Sequence, residues 1–241
     1  MRKVGIIGYG EIGKSVEKLY KDPVLIKDLD RDDGLAGVEV LHICIPFGDS
    51  FVDTVRGYVQ EYKPSYTIIH STVAPTTTES LVTLTGARIV HSPVRGIHPH
   101  LLEGLLTFEK YVGADFECDD IVKHLNSLGV KTKVVTSRTS ELAKLMSTTY
   151  YGLCIAWHGE MKAMCDELGV DFEDAATSWN NGYNEGYNKL GMGHVIRPVL
   201  YPPKKIGGHC ILPNAIILKN YFVDKFRVFS SPLFDLIFKW K

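Results

Sequence analysis

"VGIIGYGEIGKSV", residues 4–16, sets three glycines (Gly8, Gly10 and Gly13) directly behind an apolar run and ahead of a segment whose apolar positions recur at helical spacing. Each glycine answers a different steric demand. The first lets the chain turn sharply out of a strand, the second lets the backbone approach a pyrophosphate, and the third lets the following helix lie against the strand. Tyr9, Glu11 and Ile12 fill the remaining positions of the turn, where unpaired N–H groups at the helix start face the same anion. A carboxylate about twenty residues after the first glycine should then receive the ribose hydroxyls of a dinucleotide, and Asp28 closes the run "VLIKD" at that place. The acid favours NAD over NADP, with Lys27 and Arg31 beside it as cations able to take a 2′-phosphate instead.

Outward from this stretch the alternation continues to about Thr136. Short runs rich in Val and Ile, "KVGII", "VLIKD", "VEVLHICI", "YTIIH", "ARIVH", "KYVGA" and "KTKVV", have the length of buried strands. Segments such as "GEIGKSVEKLY", "DSFVDTVRGYVQEY" and "DDIVKHLNSLG" lie between several of them and have helical spacing. Strand and helix in alternation predict an α/β Rossmann-type, doubly wound, mostly parallel sheet covered on both faces. The connection from Leu29 to Gly37 is too short and too polar for a crossover helix, so one layer is trimmed there. After Thr136 the pattern predicts one long helix through "SRTSELAKLMSTTYYGLCIAWHGEMKAMCDELGV", ending at Gly169. Residues 179–205, rich in Gly, Asn, Tyr and Pro, read as loops ordered by aromatic packing. The expected organisation is a dinucleotide-binding domain over 1–136 and a helical domain over 137–241, with the long helix as a homodimer contact. The tail "FSSPLFDLIFKWK" reads as docking on the body or on a partner subunit.

With 45% apolar and 23% charged residues in 241, the chain has an ordinary globular composition. Its formal charge of −1 gives no reason to attract nucleic acid or anionic lipid. The start "MRKVGIIGYG" breaks at glycines too early for a signal peptide, and the tail is too short to span a membrane, so a cytoplasmic protein is expected. Five cysteines without a C-x-x-C pair suggest reduced thiols. His91, His98 and His100 read as loop histidines, and no metal is expected. Arg95 and His98 are candidates to receive an anionic group of a substrate, with a surface acid as the alternative partner for the arginine. Tyr150, Tyr151 and Trp157 read as packing or dimer-contact residues.

Four further stretches, "HICIPFGD", "HSTVAPTTTES", "ELAKLMSTTYYG" and "IGGHCILPN", follow in that order. Together with the glycine turn they resemble the UDP-glucose and GDP-mannose dehydrogenase family, and the S-T-V-x-P turn and the G-G-H-C sequence are the most specific pieces. The resemblance implies hydride transfer from a sugar alcohol to NAD, with a cysteine capturing the aldehyde as a thiohemiacetal that is oxidised to a thioester and hydrolysed. Cys210 falls on that nucleophile, which suits a thiolate as attacking and leaving group. His209 beside it either lowers the thiol pKa or only marks the loop. Lys144 falls on the family's helix lysine, whose ammonium stabilises charge on the reacting oxygen. The alternative for Lys144 is a solvated helix lysine paired with a neighbour such as Glu141. Pro46, Thr72 and Glu79 fall on contacts around the nicotinamide.

Departures from the family bear on the chemistry. Thr148 stands where the family has asparagine, Asn214 where it has aspartate, and Val94 where it has the glutamate assigned to thioester hydrolysis. The first two-electron oxidation, or its reverse, is therefore expected ahead of acid formation. The family also has a second dinucleotide-like domain after the cysteine loop, so the expectation is a short member acting on a smaller sugar-like or hydroxy substrate, or one completed by another subunit. Two other readings stay open: a two-electron dehydrogenase or reductase without covalent catalysis, and a non-catalytic NAD(H)-binding protein.

Overall fold

The computed structural model describes residues 2–96, 100–207, 210–224 and 232–241. Strands stand where the Val- and Ile-rich runs put them: β1 (Val4–Ile7), β2 (Leu25–Asp28), β4 (Val40–Ile43), β5 (Tyr66–Ile69), β6 (Ile89–His91), β7 (Lys110–Gly113) and β8 (Thr132–Val135), with a two-residue β3 (Arg31–Asp32) between the second and third runs. They form one sheet in the order β3-β2-β1-β4-β5-β6-β7-β8. The pairs β1·β2, β1·β4, β4·β5, β5·β6 and β7·β8 are parallel, whereas β2·β3 and β6·β7 are antiparallel. The short connection after β2 indeed carries no helix. It folds back as β3, with Lys27 opposite Asp32 and Asp28 opposite Arg31.

Every residue of β1, β4 and β5 is buried, as a strand covered on both faces requires. Side chains alternate between two cores. Val4, Ile6, Ile26, Val40, Ile68 and Val112 face one; Ile7, Leu41, Ile43, Ile69 and Ile89 face the other. The first core meets α1 (Glu11–Glu17), α4 (Leu101–Thr107) and α5 (Asp119–Ser127) through Val16, Leu105 and Ile121. The second meets α2 (Phe51–Tyr62) and α3 (Thr77–Thr85) through Phe51, Val55, Val59 and Leu81. Each fully buried Val or Ile contributes roughly 2 kcal/mol of transfer free energy, which is what makes this arrangement of strands hold one register.

The chain divides into two compact units, Met1–Lys144 and Leu145–Lys241, and the division falls inside α6 (Ser137–Leu168), the single long helix expected to end at Gly169. Gly169 ends it with φ +65. In the second unit follow a π-helical segment (Glu173–Ser178), α7 (Trp179–Lys189), α8 (Ile211–Lys219), a second π-helical segment (Asn220–Asp224) and α9 (Pro232–Lys239). The loop expected over 179–205 is thus corrected for its first eleven residues, which are helical. Two glycines there cost roughly 1 kcal/mol each against alanine. The helix is held by tertiary and local contacts that composition does not display. Tyr183 and Tyr187 lie one turn apart with ring centroids 4.9 Å apart, and Asn184 exchanges hydrogen bonds with the main chain of Arg197 at 2.8 and 2.9 Å. The Arg197 guanidinium lies on the Tyr183 ring.

The tail docks within the second unit. Phe234 and Ile237 are buried, the Trp240 indole fills the space over Gly159, and Lys239 and Trp240 both donate to the Glu160 carboxylate. No helix among the described residues is long and apolar enough to cross a membrane.

Candidate active site

At the carboxyl end of β1 two of the three glycines, Gly8 and Gly13, are required by the turn and by the packing of helix on strand. Gly8 has φ +90, and a Cβ there would stand 2.8 Å from the main chain of Cys44. A Cβ on Gly13 would stand 2.1 Å from the Gly8 carbonyl oxygen, so α1 reaches β1 only because that atom is absent. A Cβ on Gly10 would meet nothing within 4 Å. Gly10 therefore has no packing reason to be glycine, and open space lies over it at the first residues of α1. Tyr9 lies between, its ring flanked by the Lys14 ammonium at 5.5 Å and the Arg31 guanidinium at 5.3 Å. Glu11 and Ile12 open α1, with Ile12 packed against the first core.

Asp28 ends β2 beside this turn. Its carboxylate accepts N–H bonds from Tyr9 at 2.6 Å and Leu29 at 2.7 Å, which fixes the acid at the rim of the glycine loop. The flanking cations are engaged elsewhere: Lys27 pairs with Asp32, and Arg31 with Asp33 at 2.6 Å. On the other side of the loop the Cys44 thiol is pushed up to about 12 by burial, so it stays protonated. Pro46 follows β4 and is exposed.

The turn after β5 carries Thr72, half-buried. The Ser71 hydroxyl donates to the Ile45 carbonyl at 2.6 Å, and Thr76 adopts φ +73, a left-handed conformation that costs a β-branched residue. Glu141 of α6 holds this turn: its two oxygens accept the N–H groups of Thr76 at 2.7 Å and Thr78 at 2.8 Å. Burial pushes its acid up to about 7 against the pull of those N–H groups. Glu79 faces outward, bound at both oxygens by Arg138 at 2.8 Å. His91 is a buried core histidine, bonded to the Ser140 hydroxyl at 2.9 Å and the Ser71 carbonyl at 3.0 Å, and burial brings it down to about 3.

The segment after β6 carries consecutive carbonyls held by two ammonium groups. Lys110 Nζ donates to Ser92 at 2.6 Å and Pro93 at 3.0 Å, and Lys144 Nζ donates to Val94 at 2.9 Å. Lys144 is thus directed at the Val94 carbonyl, while the Glu141 oxygens are taken by the N–H groups of Thr76 and Thr78. Lys110 is wholly buried and brought down to about 7, first by desolvation and then by the neighbouring Lys144 and Arg95 charges. No sequence signal singled it out, because a lysine closing "FEK" ahead of a strand reads as a solvated flank. Arg95 stacks on the Tyr111 ring at 4.8 Å and pairs with no acid among the described residues. His98 lies outside the described residues.

In the second unit Cys210 precedes α8 and is half-buried; its carbonyl accepts the Asn214 N–H at 3.1 Å, and Asn214 is buried in the first turn. Ile211, the next residue, packs on α6 at Gly152, where a Cβ would come within 2.6 Å of it. The cysteine loop is thereby seated on the stretch of α6 that carries the half-buried Thr148 one turn earlier. His209 lies outside the described residues. Among the described residues no three His, Cys, Asp or Glu side chains converge as a metal site would require. Tyr150, Tyr151 and Trp157 are 61%, 50% and 51% exposed, which removes the core-packing reading and leaves them on an uncovered helix face.

Sheet order and glycine turn together define a Rossmann-type α/β fold. No family model matches the chain. It is 27% identical over 165 residues to UDP-N-acetyl-D-mannosamine dehydrogenase of Methanococcus vannielii, which covers 66% of this chain and 35% of that protein. Its fold is that of UDP-D-ManNAc dehydrogenase from Pyrococcus horikoshii, with a TM-score of 0.77 at 19% identity over 98% of this chain and 67% of that one. It is also that of 3-hydroxyisobutyrate dehydrogenase from Mycobacterium tuberculosis, solved with L-serine, with a TM-score of 0.69 at 15% identity over 98% of this chain and 91% of that one. In sequence the chain is similar to nucleotide-sugar dehydrogenases, and it spans 27–50% of the length of the curated relatives it matches.

Proposed function

We propose that this protein is an NAD-dependent oxidoreductase that moves a hydride between a nicotinamide and an alcohol carbon of a sugar-like or small hydroxy substrate. The observation that carries the reading is the contrast within the glycine turn: Gly8 and Gly13 are required by packing, whereas Gly10 faces open space. Asp28 at the rim would accept the ribose hydroxyls, and the acids Asp32 and Asp33, which already occupy Lys27 and Arg31, disfavour a 2′-phosphate and so NADP. When bound, the dinucleotide supplies the hydride acceptor. Thr72 and Pro46 would line the nicotinamide end, with Glu79 behind them positioned through Arg138.

In this reading the Lys144 ammonium, steered by the Val94 carbonyl, stabilises negative charge on the carbinol oxygen as its proton leaves. Cys210 is the candidate nucleophile toward the resulting carbonyl carbon, with Asn214 bonded to its main chain and Thr148 one turn before Gly152 on α6 as the candidate polar partners. The exposed aromatic face of α6 suits a homodimer contact.

The test is a pair of measurements. Gly10→Ala should leave the unfolding transition in place and weaken NADH binding, read by cofactor fluorescence, at least tenfold; unchanged binding would remove the dinucleotide reading. NADH formation is then followed with UDP-sugars and with small hydroxy acids, in the parent and in Cys210→Ser. Retained acid production in Cys210→Ser would end the covalent scheme. A second reading, two-electron oxidation without covalent catalysis, is favoured by Val94 and Asn214, neither of which can serve as a base.

A further inference from the structure

The glycine turn occupies the carboxyl ends of β1 and β2. At the amino ends of the same strands, a cavity of about 460 Å³ opens between the segment before β2 and helix α5. Arg2, Tyr20, Asp22, Asp120, Lys123, His124 and Ser127 supply its polar groups, and Val4, Val24 and Leu128 its apolar floor. That volume lies within the range of small-molecule sites, about 300–1,000 Å³, and an apolar floor with few convergent polar groups is their usual lining.

The charges at this mouth are unevenly spent. Asp120 is held at both oxygens by Arg88, at 2.8 and 2.6 Å, and so does not neutralise the cavity cations. Lys123 is exposed and pairs with no acid among the described residues. Arg2 gives one N–H to the Tyr66 hydroxyl, leaving further guanidinium donors. With Arg88 counted beside Asp120, three cations stand against two acids, Asp22 and Asp120, so the local balance is one positive charge in a chain whose formal charge is −1.

The inner wall is wired to a buried polar chain. Tyr66 is bonded to His124 Nδ1, His124 Nε2 to the Tyr20 hydroxyl at 3.2 Å, Tyr20 to His42 Nε2 at 2.7 Å, and His42 Nδ1 to His70 Nε2 at 2.8 Å. Burial keeps the three imidazoles neutral: His124 is brought down to about 4, His42 to about 3, and His70 well below its ordinary value. Each therefore carries one N–H. A guanidinium only donates, so Tyr66 accepts from Arg2, and the cavity mouth is thereby joined through His124 and Tyr20 to the buried pair His42 and His70.

We propose that this cavity is a second binding site, for a small acid whose carboxylate or phosphate pairs with Arg2 and Lys123 and whose body lies on Val24, Leu128 and Tyr20. His124, in the wall and in the network, is the natural reporter. The experiment uses the full chain labelled with ¹⁵N-histidine, titrated with inorganic phosphate and separately with benzoate at constant ionic strength. A saturable shift of the His124 imidazole is expected. Saturation by phosphate alone would assign a phosphorylated ligand, and saturation by benzoate alone a carboxylate with an apolar body. Lys123→Ala should weaken that binding at least tenfold while leaving NADH binding unchanged, and Arg2→Gln should weaken it further. Failure of both probes to saturate, or equal affinity in Lys123→Ala, would overturn the site. Neither result depends on turnover, so the dehydrogenase reading stands or falls separately.

Discussion

The two units spend their hydrophobic residues differently. In Met1–Lys144 the strands are buried on both sides and few large apolar side chains reach the surface. In Leu145–Lys241, by contrast, Tyr150, Tyr151, Trp157, Met164, Trp179, Leu190 and Ile196 are exposed, and α7 buries no residue. A sheet with helices on both faces completes its own core. A helical unit with an uncovered aromatic face is shaped for something outside itself. The difference predicts that substitutions in the first unit act on folding and cofactor, and those on the second unit's surface act on association.

The largest effect expected is from Gly13→Ala. With a Cβ forced to 2.1 Å from the Gly8 oxygen, α1 cannot seat, and cooperative urea unfolding should be lost or its midpoint should collapse. A two-state transition near that of the parent would show that the first unit is less tightly specified than its geometry implies.

Next comes Lys110. An unfolded lysine keeps its proton to about pH 10.4, while the folded one releases it near 7, so across that window the unfolded chain binds one more proton. Stability should therefore rise with pH from about 7 toward 10, by at most on the order of 4 kcal/mol. Lys110→Met should flatten that rise in unfolding curves recorded at stepped pH. A smaller change is expected at Asp28: replacement by Ala removes the acceptor of two N–H groups and should cost roughly tenfold in NAD affinity, about 1.4 kcal/mol, and narrow the preference over NADP. Isothermal titration with each cofactor reads both.

On the second unit, Trp157→Glu should leave the unfolding midpoint within about 0.5 kcal/mol of the parent and shift a dimer toward monomer in sedimentation velocity. An unaltered sedimentation profile would break the contrast drawn above. Smallest of all, Glu79→Gln removes one partner of an exposed bidentate pair and should cost under about 1 kcal/mol, measurable only at low salt.

Much of the first unit was legible because its signals are local. A run such as "YTIIH" has one comfortable fate, and the spacing of Gly8, Gly10 and Gly13 carries its own steric reason. The long helix was legible from its length without a proline. What escaped was set by contacts distant in sequence. Lys110 reads as a solvated flank until Ser92 and Pro93 are seen above it, and Glu141 as a possible partner for Lys144 until it is found at Thr76 and Thr78. His42 stands on a buried strand position, and His70 just past the end of β5, where the apolar runs lead one to expect apolar residues. The helix over Trp179–Lys189 was misread as loop because glycine and asparagine count against helix, while Tyr183, Tyr187 and Arg197, which hold it, count only once folded.

The clamp of Glu141 on the turn after β5 has a consequence for how the chain is made. Synthesis runs from the amino end, so the donors of Thr76 and Thr78 leave the ribosome more than sixty residues ahead of the carboxylate that will receive them. The nascent sheet must wait, with a left-handed threonine unsupported, until the first turns of α6 emerge. A polypeptide truncated at residue 136 would be arrested in that unfinished condition, and one carried through to 144 would not.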